Sequence, residues 1–216
     1  MTSGRAHRVL NRHKRWELPA DGVSSVSQDF GPPLSAIETD PAAPAVIRNL
    51  DVGCGNRKES GFVGIDCTPY EGVDVVFDID SSEPWPFNDS TFDVIRAVHI
   101  LEHMNDPLHF LSELHRIGRN GCVLHIVTPH FSSCNSWSDP THVRHYASTF
   151  MDQVASDYFA FPTPKFKVTA CTIHFSGLLH TWPGWLIAWF SRQKYERYYA
   201  WRYPANSIWV RATVLK

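Results

Sequence analysis

The feature that most constrains the fold is a series of short apolar runs, rich in β-branched residues, that recur from residue 46 onward. Runs of this length are typical of strands buried on both faces of a parallel sheet, where helices cover each side. The series therefore predicts an α/β domain. The runs are Val46–Val52, Phe62–Ile65, Val73–Ile79, Asp93–Val98, Cys122–Thr128, Phe166–Phe175 and Ile208–Leu215.

Helices are expected between these strands. Residues 106–117 carry leucines and an isoleucine at helical spacing, which predicts an amphipathic helix with one buried face. Asp106 is the expected N-cap, because its carboxylate can accept from the free N–H groups of the first turn, and Pro107 suits the first helical position. Asn120–Gly121 is expected to end the connection to the next strand. A second helix is expected from His145 to Ala155.

Composition excludes several classes of protein. Of the 216 residues, 43% are hydrophobic and 19% are charged, which is ordinary for a folded domain and excludes global disorder. The net charge of −2, without a long block of Lys or Arg, argues against a nucleic-acid partner. The five cysteines are odd in number and form no CxxC pair, which favours a reducing compartment over a disulfide framework.

Two regions are expected along the chain. Residues 1–45 are interpreted as an N-terminal extension or linker, basic at its start and rich in Pro and Ala over Gly31–Pro44. Residues 46–216 form the folded domain, and its last part, 166–216, includes an aromatic-rich insertion between the last two strands. The chain shows no signal-peptide core and no apolar run of the roughly 20 residues that span a bilayer. We therefore expect a cytoplasmic protein without stable membrane insertion.

A glycine turn and two acidic sites follow the first three strands, at the point where each strand ends. Asp51–Asn56 (DVGCGN) is the glycine turn, Asp66 ends the second strand, and Asp78–Asp80 ends the third. In an open parallel sheet these ends meet in one crevice, where ligands bind. Asp66 can accept both ribose hydroxyls of a nucleoside, and the third site can receive an adenine amino group while Ile79 packs on the ring. Taken singly, each acid is equally typical of a solvated loop.

The glycine spacing discriminates among nucleotides. The chain has neither the GxGxxG spacing of dinucleotide sites nor the GxxxxGK[ST] loop, so a pyrophosphate has no cradle. This disfavours an NAD-dependent oxidoreductase. S-adenosyl-L-methionine carries adenosine without phosphate and is therefore the predicted cofactor. The residues expected to bind it are Asp51, Gly53, Cys54, Gly55, Asp66, Cys67, Asp78, Ile79, Asp80, His99 and Glu102.

Together these motifs resemble the class I methyltransferase superfamily, and within it a small bacterial branch. The resemblance implies a Rossmann-like, mostly parallel sheet of seven strands with flanking helices and an antiparallel last strand. It covers roughly Val46 to Thr128, is looser through Phe150, and returns at the C-terminus. The residues that carry it are Asp51–Asn56, Asp66, Asp78–Asp80, Trp85–Ile95 with a PFxxxxFD pattern, His99–His103 with an HxLEH pattern, and a PH…DPTHxR stretch over 129–144.

The resemblance also assigns roles within the crevice. Gly53 and Gly55 would border the methionine end of the cofactor, Asp66 the ribose, and Asp78–Asp80 the adenine. One departure matters: only about six residues separate Gly55 from the second strand, so the first helix of the family is expected to be absent or reduced to a turn. The pocket would then be open on one side, which makes residues 1–45 a candidate lid.

A group of histidines follows the fifth strand, on the rim where a methyl acceptor is expected. Because a histidine titrates near neutral pH, it can remove the acceptor's proton during transfer. We expect His130 or His142 to be this base, with Asp139 orienting the imidazole. Two alternatives stay open, in which the histidines structure the loop or hold a divalent metal with Asp139; our prediction is a site without metal. His99–His103 also fits the HxxEH pattern of zinc-protease helices, which its place directly after a strand disfavours.

The insertion between the last two strands is unusually aromatic, and three interpretations stay open. Part of it is core, part of it walls an apolar or sugar-bearing acceptor, or Trp182–Phe190 lies in a membrane interface beside Arg192 and Lys194. The aromatic residues concerned are Trp182, Trp185, Trp189, Phe190, Tyr195, Tyr198, Tyr199, Trp201 and Tyr203.

The function predicted from these features is transfer of a methyl group from S-adenosylmethionine, with a histidine as general base. The favoured acceptor is an oxygen of a small molecule or glycan intermediate. The alternatives are a methyltransferase that modifies peptides or proteins and a binding protein that holds the cofactor without catalysis. A homodimer is compatible with each of these.

Overall fold

The computed structural model describes residues 48–156, 159 and 162–216. The extension expected at 1–45, and with it the lid hypothesis, lies outside the described residues. The strands of the described part form one sheet. They are β1 (Asn49–Val52), β2 (Val63–Asp66), β3 (Val75–Val76), β4 (Phe92–Val98), β5 (Gly118–Pro129), β6 (Phe166–His174) and β7 (Ser207–Val214).

The order of strands across the sheet is β3-β2-β1-β4-β5-β7-β6. Strands β1 to β5 pair in parallel with their neighbours. β7 runs antiparallel to both β5 and β6, between which it lies. The predicted mostly parallel sheet of seven strands with an antiparallel last strand is therefore confirmed.

Helices occur in the connections of the second half of the chain. They are α1 (Pro107–Ile117), α2 (Cys134–Ser138), α3 (Phe150–Ala155), α4 (Leu178–Phe190) and α5 (Arg192–Tyr198), with a 3₁₀ turn at Leu101–His103 after β4. No helix of this described part combines the length and apolarity that crossing a bilayer requires.

α1 begins as the sequence predicts. The Asp106 carboxylate accepts from the N–H groups of Leu108 and His109 at 3.1 and 3.0 Å, and Pro107 occupies the first turn, where no N–H is needed for the helix. The helix lays Phe110 and Leu114 against the sheet, where both are buried in the main core.

The first two strands are joined without a helix. Residues 53–62 form turns only, so the first helix expected from the family is absent, as the short spacing after Gly55 predicted. The β1–β2 connection therefore leaves that face of the sheet without a covering helix of its own.

Three element boundaries differ from those predicted. The third strand is only Val75–Val76, because it pairs on one side alone and the chain then turns to bury Ile79 in the core. β5 begins at Gly118, which pairs with Phe92 before the register shifts, so Asn120–Gly121 lies within the strand. α3 starts at Phe150, because Tyr146 is held in an extended bridge to His130.

The aromatic insertion is helical, and its side chains divide between core and surface. Tyr195 is fully buried in a second, smaller core, and its hydroxyl donates to the carbonyl of Tyr203 at 2.7 Å. The core interpretation is therefore correct for Tyr195. Most of the other aromatic side chains are exposed, namely Trp182, Trp185, Trp189, Phe190, Tyr198, Tyr199 and Trp201.

Candidate functional site

The glycine turn after β1 has a backbone conformation that favours glycine at two positions. The φ angles of Gly53 and Gly55 are +65° and +53°, in the left-handed region that glycine enters without steric cost. The Gly53 N–H donates to the carbonyl of Ile65 at 2.8 Å, which fastens the turn to β2. A Cβ on Gly53 would lie 2.5 Å from Cγ1 of Ile100, so the turn packs directly on the segment that follows β4.

Asp66 joins the glycine turn to the end of β2. One of its carboxylate oxygens accepts from the Gly55 N–H at 2.9 Å, and the other accepts from the Thr68 N–H at 2.9 Å. The side chain is 8% exposed, so its position is set by the backbone on both sides. Because a carboxylate offers about four lone-pair sites, two of them remain for a ligand. Ribose binding at Asp66 stays a prediction.

Asp51 lies in β1 and stabilises the connection that contains the glycine turn by hydrogen bonds. Its two oxygens accept from the Arg96 guanidinium at 3.0 and 2.9 Å, and one of them also accepts from the Glu59 N–H at 2.9 Å. Burial raises the pKa of Asp51 above its ordinary range, against the opposing effect of these donors. Burial likewise raises the pKa of the Cys54 thiol to about 11, so it stays protonated at neutral pH. Both residues are placed to shape the turn.

The third acidic site presents one exposed carboxylate. Asp80 accepts from the backbone and side-chain amides of Asn105, which ties this loop to the segment before α1. Ile79 is 4% exposed and packs in the main core, and the Trp85 indole donates to its carbonyl. Asp78, by contrast, is exposed at the end of the short edge strand. Of these three residues, Asp78 is the one whose carboxylate is open to a ligand; Cys67, after β2, is exposed as well.

His99 directly follows β4, next to Ile100, on which the glycine turn packs. Its φ is +55°, a conformation that is uncommon for residues other than glycine. Where such a conformation occurs, it is often at a functional site. Its Nδ1 lies 3.1 Å from Oε1 of Glu102, which is 1% exposed, while the His99 side chain is 53% exposed. The other oxygen of Glu102 accepts from the Thr128 hydroxyl at 3.0 Å. A buried carboxylate therefore orients an exposed imidazole.

His142 and His103 approach the same carboxylate from a neighbouring loop. Nε2 of His142 lies 4.0 Å from Oε1 of Glu102 and 3.9 Å from Oδ2 of Asp139. The rings of His103 and His142 meet edge to face with centroids 4.7 Å apart. Hydrogen bonds from the Thr141 N–H and hydroxyl hold the pKa of Asp139 below its ordinary range. Of the three predicted acceptor-side residues, the structure thus brings His142 to Glu102, and Asp139 lies beside His142.

His130, the other predicted base, lies in a different environment. It is fully buried; its Nδ1 lies 2.8 Å from the Ser132 hydroxyl and its Nε2 lies 3.3 Å from Oε1 of Glu196. Burial alone would raise the pKa of Glu196, but the hydrogen bonds from His130 and Ser148 outweigh it and lower that pKa. Both ring nitrogens are engaged, and the residue joins the end of β5 to α5. His130 therefore has a loop-structuring role, which is one of the alternatives to the base role that the sequence analysis gave.

Aromatic side chains lie near the loop after β5, where the sequence predicts the methyl acceptor. Trp137 is 56% exposed, stacks on His145 with ring centroids 3.6 Å apart, and donates from its indole to the Phe131 carbonyl at 2.7 Å. Trp201 is 71% exposed and meets the Phe131 ring edge to face. We call Phe131, Trp137 and Trp201 the aromatic rim. Phe131 and Trp137 follow β5, where the sequence predicts the acceptor, and Trp201 lies between α5 and β7.

Two structural residues of the site were missed from the sequence, although each left a signal. Arg96 is a charge inside the apolar run of β4, and such a residue needs a buried partner, which is Asp51. Glu196 is the only acid in the aromatic insertion between residues 178 and 203. A lone carboxylate among aromatic residues indicates a specific partner, which is His130.

A mostly parallel sheet of seven strands in this order, with β7 antiparallel, is the Rossmann-like fold of class I, S-adenosylmethionine-dependent methyltransferases. A family model described as methyltransferase domain matches residues 13–201. The chain belongs to this family, and S-adenosylmethionine is the cofactor of the family. The match begins within the segment expected to be an extension.

Individual relatives are distant. Ajmaline N-methyltransferase of Rauvolfia serpentina is 26% identical over 101 residues, which covers 37% of this chain and 35% of that protein. The chain therefore spans about a third of that relative's length. A solved S-adenosylmethionine-dependent methyltransferase from Archaeoglobus fulgidus has a TM-score of 0.50 at 17% identity, covering 78% of this chain and 86% of that one. Another, from Mesorhizobium loti, has a TM-score of 0.47 at 14% identity, covering 79% and 93%. At these identities the structural likeness concerns the fold alone.

Proposed function

We propose that this protein transfers the methyl group of S-adenosylmethionine to an oxygen of a small molecule or glycan intermediate. The observation that carries the proposal is the contact between the glycine turn and the segment after β4, where Gly53 packs on Ile100 next to His99. In a bound complex the methionine end of the cofactor would lie at this turn, so the reacting methyl group would face His99. Proximity of this kind is the main requirement of a methyl transfer.

The base that we assign on geometry is His99, with Glu102 as its positioning partner. A carboxylate accepts, so His99 donates from Nδ1 to Glu102 and keeps the lone pair of Nε2 toward the exposed side. In the reaction Nε2 would take the proton of the acceptor hydroxyl while the hydroxyl oxygen bonds to the methyl carbon. Bound S-adenosylmethionine would supply the methyl group, with S-adenosylhomocysteine as the leaving group that keeps the electron pair. We prefer His99 to His130 as the base, because His130 is buried with both ring nitrogens engaged.

The acceptor class is inferred from the aromatic rim and the loop of His142. Exposed indoles such as Trp137 and Trp201 stack on flat or sugar rings, which suits a small cyclic acceptor. The chain is also partly similar to a protein named ajmaline N-methyltransferase. A nitrogen acceptor is the alternative that this similarity favours, and it would use the same base.

A variant series tests the proposal. His99→Ala and His99→Gln should lower methyl transfer from labelled S-adenosylmethionine by about 100-fold, within the range that general bases contribute, and leave S-adenosylhomocysteine affinity unchanged. The assay screens sugars, phenols, amines and peptides as acceptors. His180→Ala, an exposed histidine on α4, is the matched control and should retain full activity. Normal turnover by both His99 variants would contradict the assignment of His99 as the base. Cofactor binding by the wild type without methyl transfer to any acceptor would favour the alternative of a binding protein without catalysis.

A further inference from the structure

We propose that Glu102, His103 and His142 form a binding site for one divalent transition-metal ion of the zinc type. Each residue offers one ligand atom, and the three atoms lie within 4.8 Å of one another. No other such group of three His, Cys, Asp or Glu residues occurs in the described ranges. Two imidazoles and one carboxylate are a ligand set that suits zinc and its neighbours better than magnesium or calcium.

The hydrogen bonds around His142 leave the correct ring nitrogen free for metal. Its Nδ1 lies 3.2 Å from the carbonyl oxygen of Ser136. A carbonyl only accepts, so Nδ1 carries the proton, and in the neutral ring Nε2 carries the lone pair. That lone pair faces two carboxylate oxygens, of Glu102 at 4.0 Å and of Asp139 at 3.9 Å. These distances are too long for hydrogen bonds, whereas a cation next to His142 Nε2 could be bound by this nitrogen and by Glu102 together.

His103 is held in the same way. The Thr141 hydroxyl donates to Asp139 at 2.6 Å, so its oxygen is left to accept from Nδ1 of His103 at 3.0 Å, beside the Thr141 carbonyl at 3.2 Å. Nδ1 of His103 is therefore protonated, and Nε2 carries the lone pair. Metal-binding histidines almost always donate their second ring N–H to a carbonyl or carboxylate, which fixes the tautomer and the ring orientation. Both histidines of this cluster have that support.

The dimensions of the cluster allow a metal ion after a contraction. With bonds of about 2.0–2.1 Å, tetrahedral zinc sets its ligands about 3.4 Å apart. The Glu102–His142 pair, at 4.0 Å, must close by about half an ångström to reach that spacing, and a pair at the 4.8 Å limit of the cluster must close by about 1.4 Å. The buried Glu102 is already fixed by the Thr128 hydroxyl, so the contraction falls on the loop that carries His142. Three protein ligands leave at least one coordination position open, as in catalytic zinc sites.

The open coordination position is where the methyl acceptor would bind. This part of the inference rests on the proposed methyl transfer. An acceptor hydroxyl that coordinates the ion loses its proton more readily, because the cation stabilises the alkoxide. His99 lies beside Glu102 and would receive that proton. The metal would thus bind the acceptor by its reacting oxygen, which favours acceptors with a hydroxyl group.

The test is titration of the metal-stripped full-length protein with Co²⁺, read by its visible d–d absorption, and with Zn²⁺ by calorimetry. The expected result is one tightly bound ion with a tetrahedral or five-coordinate spectrum. His103→Ala and His142→Ala should each weaken binding by about 100-fold or more, because supporting residues alone cost 10–100-fold. His180→Ala should bind like the wild type. Thermal unfolding of each variant shows that it is folded.

Three outcomes would overturn the inference: no binding by the wild type, unchanged binding by both histidine variants, or an equal loss in His180→Ala. Glu102→Gln is an additional variant, and if it fails to fold, the two histidine variants decide the outcome. The same samples are titrated with S-adenosylhomocysteine. Cofactor binding without metal binding would remove the metal site and keep the proposed function, and the reverse pattern would remove the proposed function and keep the metal site.

Discussion

Single residues in the glycine turn decide whether the cofactor crevice can form. An alanine at Gly53 would need a left-handed backbone at φ of +65° and would place its Cβ 2.5 Å from Cγ1 and 2.9 Å from Cβ of Ile100. Rotation of Ile100 does not relieve a contact with its own Cβ. We predict that Gly53→Ala lowers the free energy of unfolding by about 2–4 kcal/mol, from strain and overpacking together, and removes S-adenosylhomocysteine binding.

The matched control is Gly61→Ala, which changes a glycine of similar conformation where space is free. The φ of Gly61 is +78°, and no described atom lies within 4 Å of its added Cβ. Only the backbone penalty of about 1 kcal/mol is expected there, with cofactor binding unchanged. Urea unfolding and calorimetry measure both effects, and equal losses in the two variants would contradict the packing argument.

At the scale of single residues, the sequence predicted those site residues whose hydrogen-bond partners lie on neighbouring strands. Asp66 meets Gly55 because β1 and β2 are neighbours and parallel, which the order of the apolar runs already implied. The environment of His130 could not be predicted, since its partner Glu196 is 66 positions away across an insertion whose path has no sequence rule. His99 was expected at the cofactor, and the carboxylate behind its ring became evident only from the geometry.

At the level of elements, α1 is anchored through the buried carboxylate of Glu113. It accepts from the Trp85 N–H at 2.7 Å, which holds the helix against the loop before β4, and from Nη2 of Arg116 within α1 at 2.7 Å. Burial alone would raise the pKa of Glu113, but the hydrogen bonds from Arg116 and Trp85 outweigh it and lower the pKa. A lowered pKa stabilises the fold above the ordinary titration range of glutamate, and this contribution disappears as the pH falls through the lowered value.

We therefore predict that Glu113→Gln lowers the free energy of unfolding by about 1–3 kcal/mol near neutral pH. The difference from the wild type should shrink as the pH falls from the ordinary glutamate range through the lowered pKa of Glu113, because below that value the wild-type carboxylate is protonated as well. Urea unfolding at a series of pH values measures it. Glu83→Gln, an exposed glutamate just before Trp85, should differ little from the wild type at any pH. A difference for Glu113→Gln that is independent of pH would show that charge is not its source.

The elements themselves were largely predictable from the sequence, and their ends were not. The apolar runs predicted all seven strands, and Asp106 marked the start of α1. The third strand shortened to two residues, since pairing on one side of an edge strand stabilises less than burial of Ile79 in the core. α3 began later than expected, because a long-range bridge between His130 and Tyr146 overrides the local preference of that segment.

For the molecule as a whole, the parallel order of β2, β1, β4 and β5 determines where function lies. Their carboxyl ends bring together Gly53, Asp66 and His99 at one edge, although these residues are spread over nearly fifty positions of the chain. The cofactor crevice and the acceptor side thus share the segment after β4. The central claim is that this edge binds an adenosine without phosphate, and that Asp66 carries much of the affinity.

Calorimetry of the full-length protein with S-adenosylhomocysteine tests that claim most directly. We predict one bound ligand per chain, no binding of NAD, and a loss of about 100-fold in affinity for Asp66→Ala, the equivalent of about 2.7 kcal/mol. Asp89→Ala, at a carboxylate that is 75% exposed, should bind like the wild type. Absence of binding by a chain that circular dichroism shows to be folded, or equal affinity of wild type and Asp66→Ala, would contradict the account.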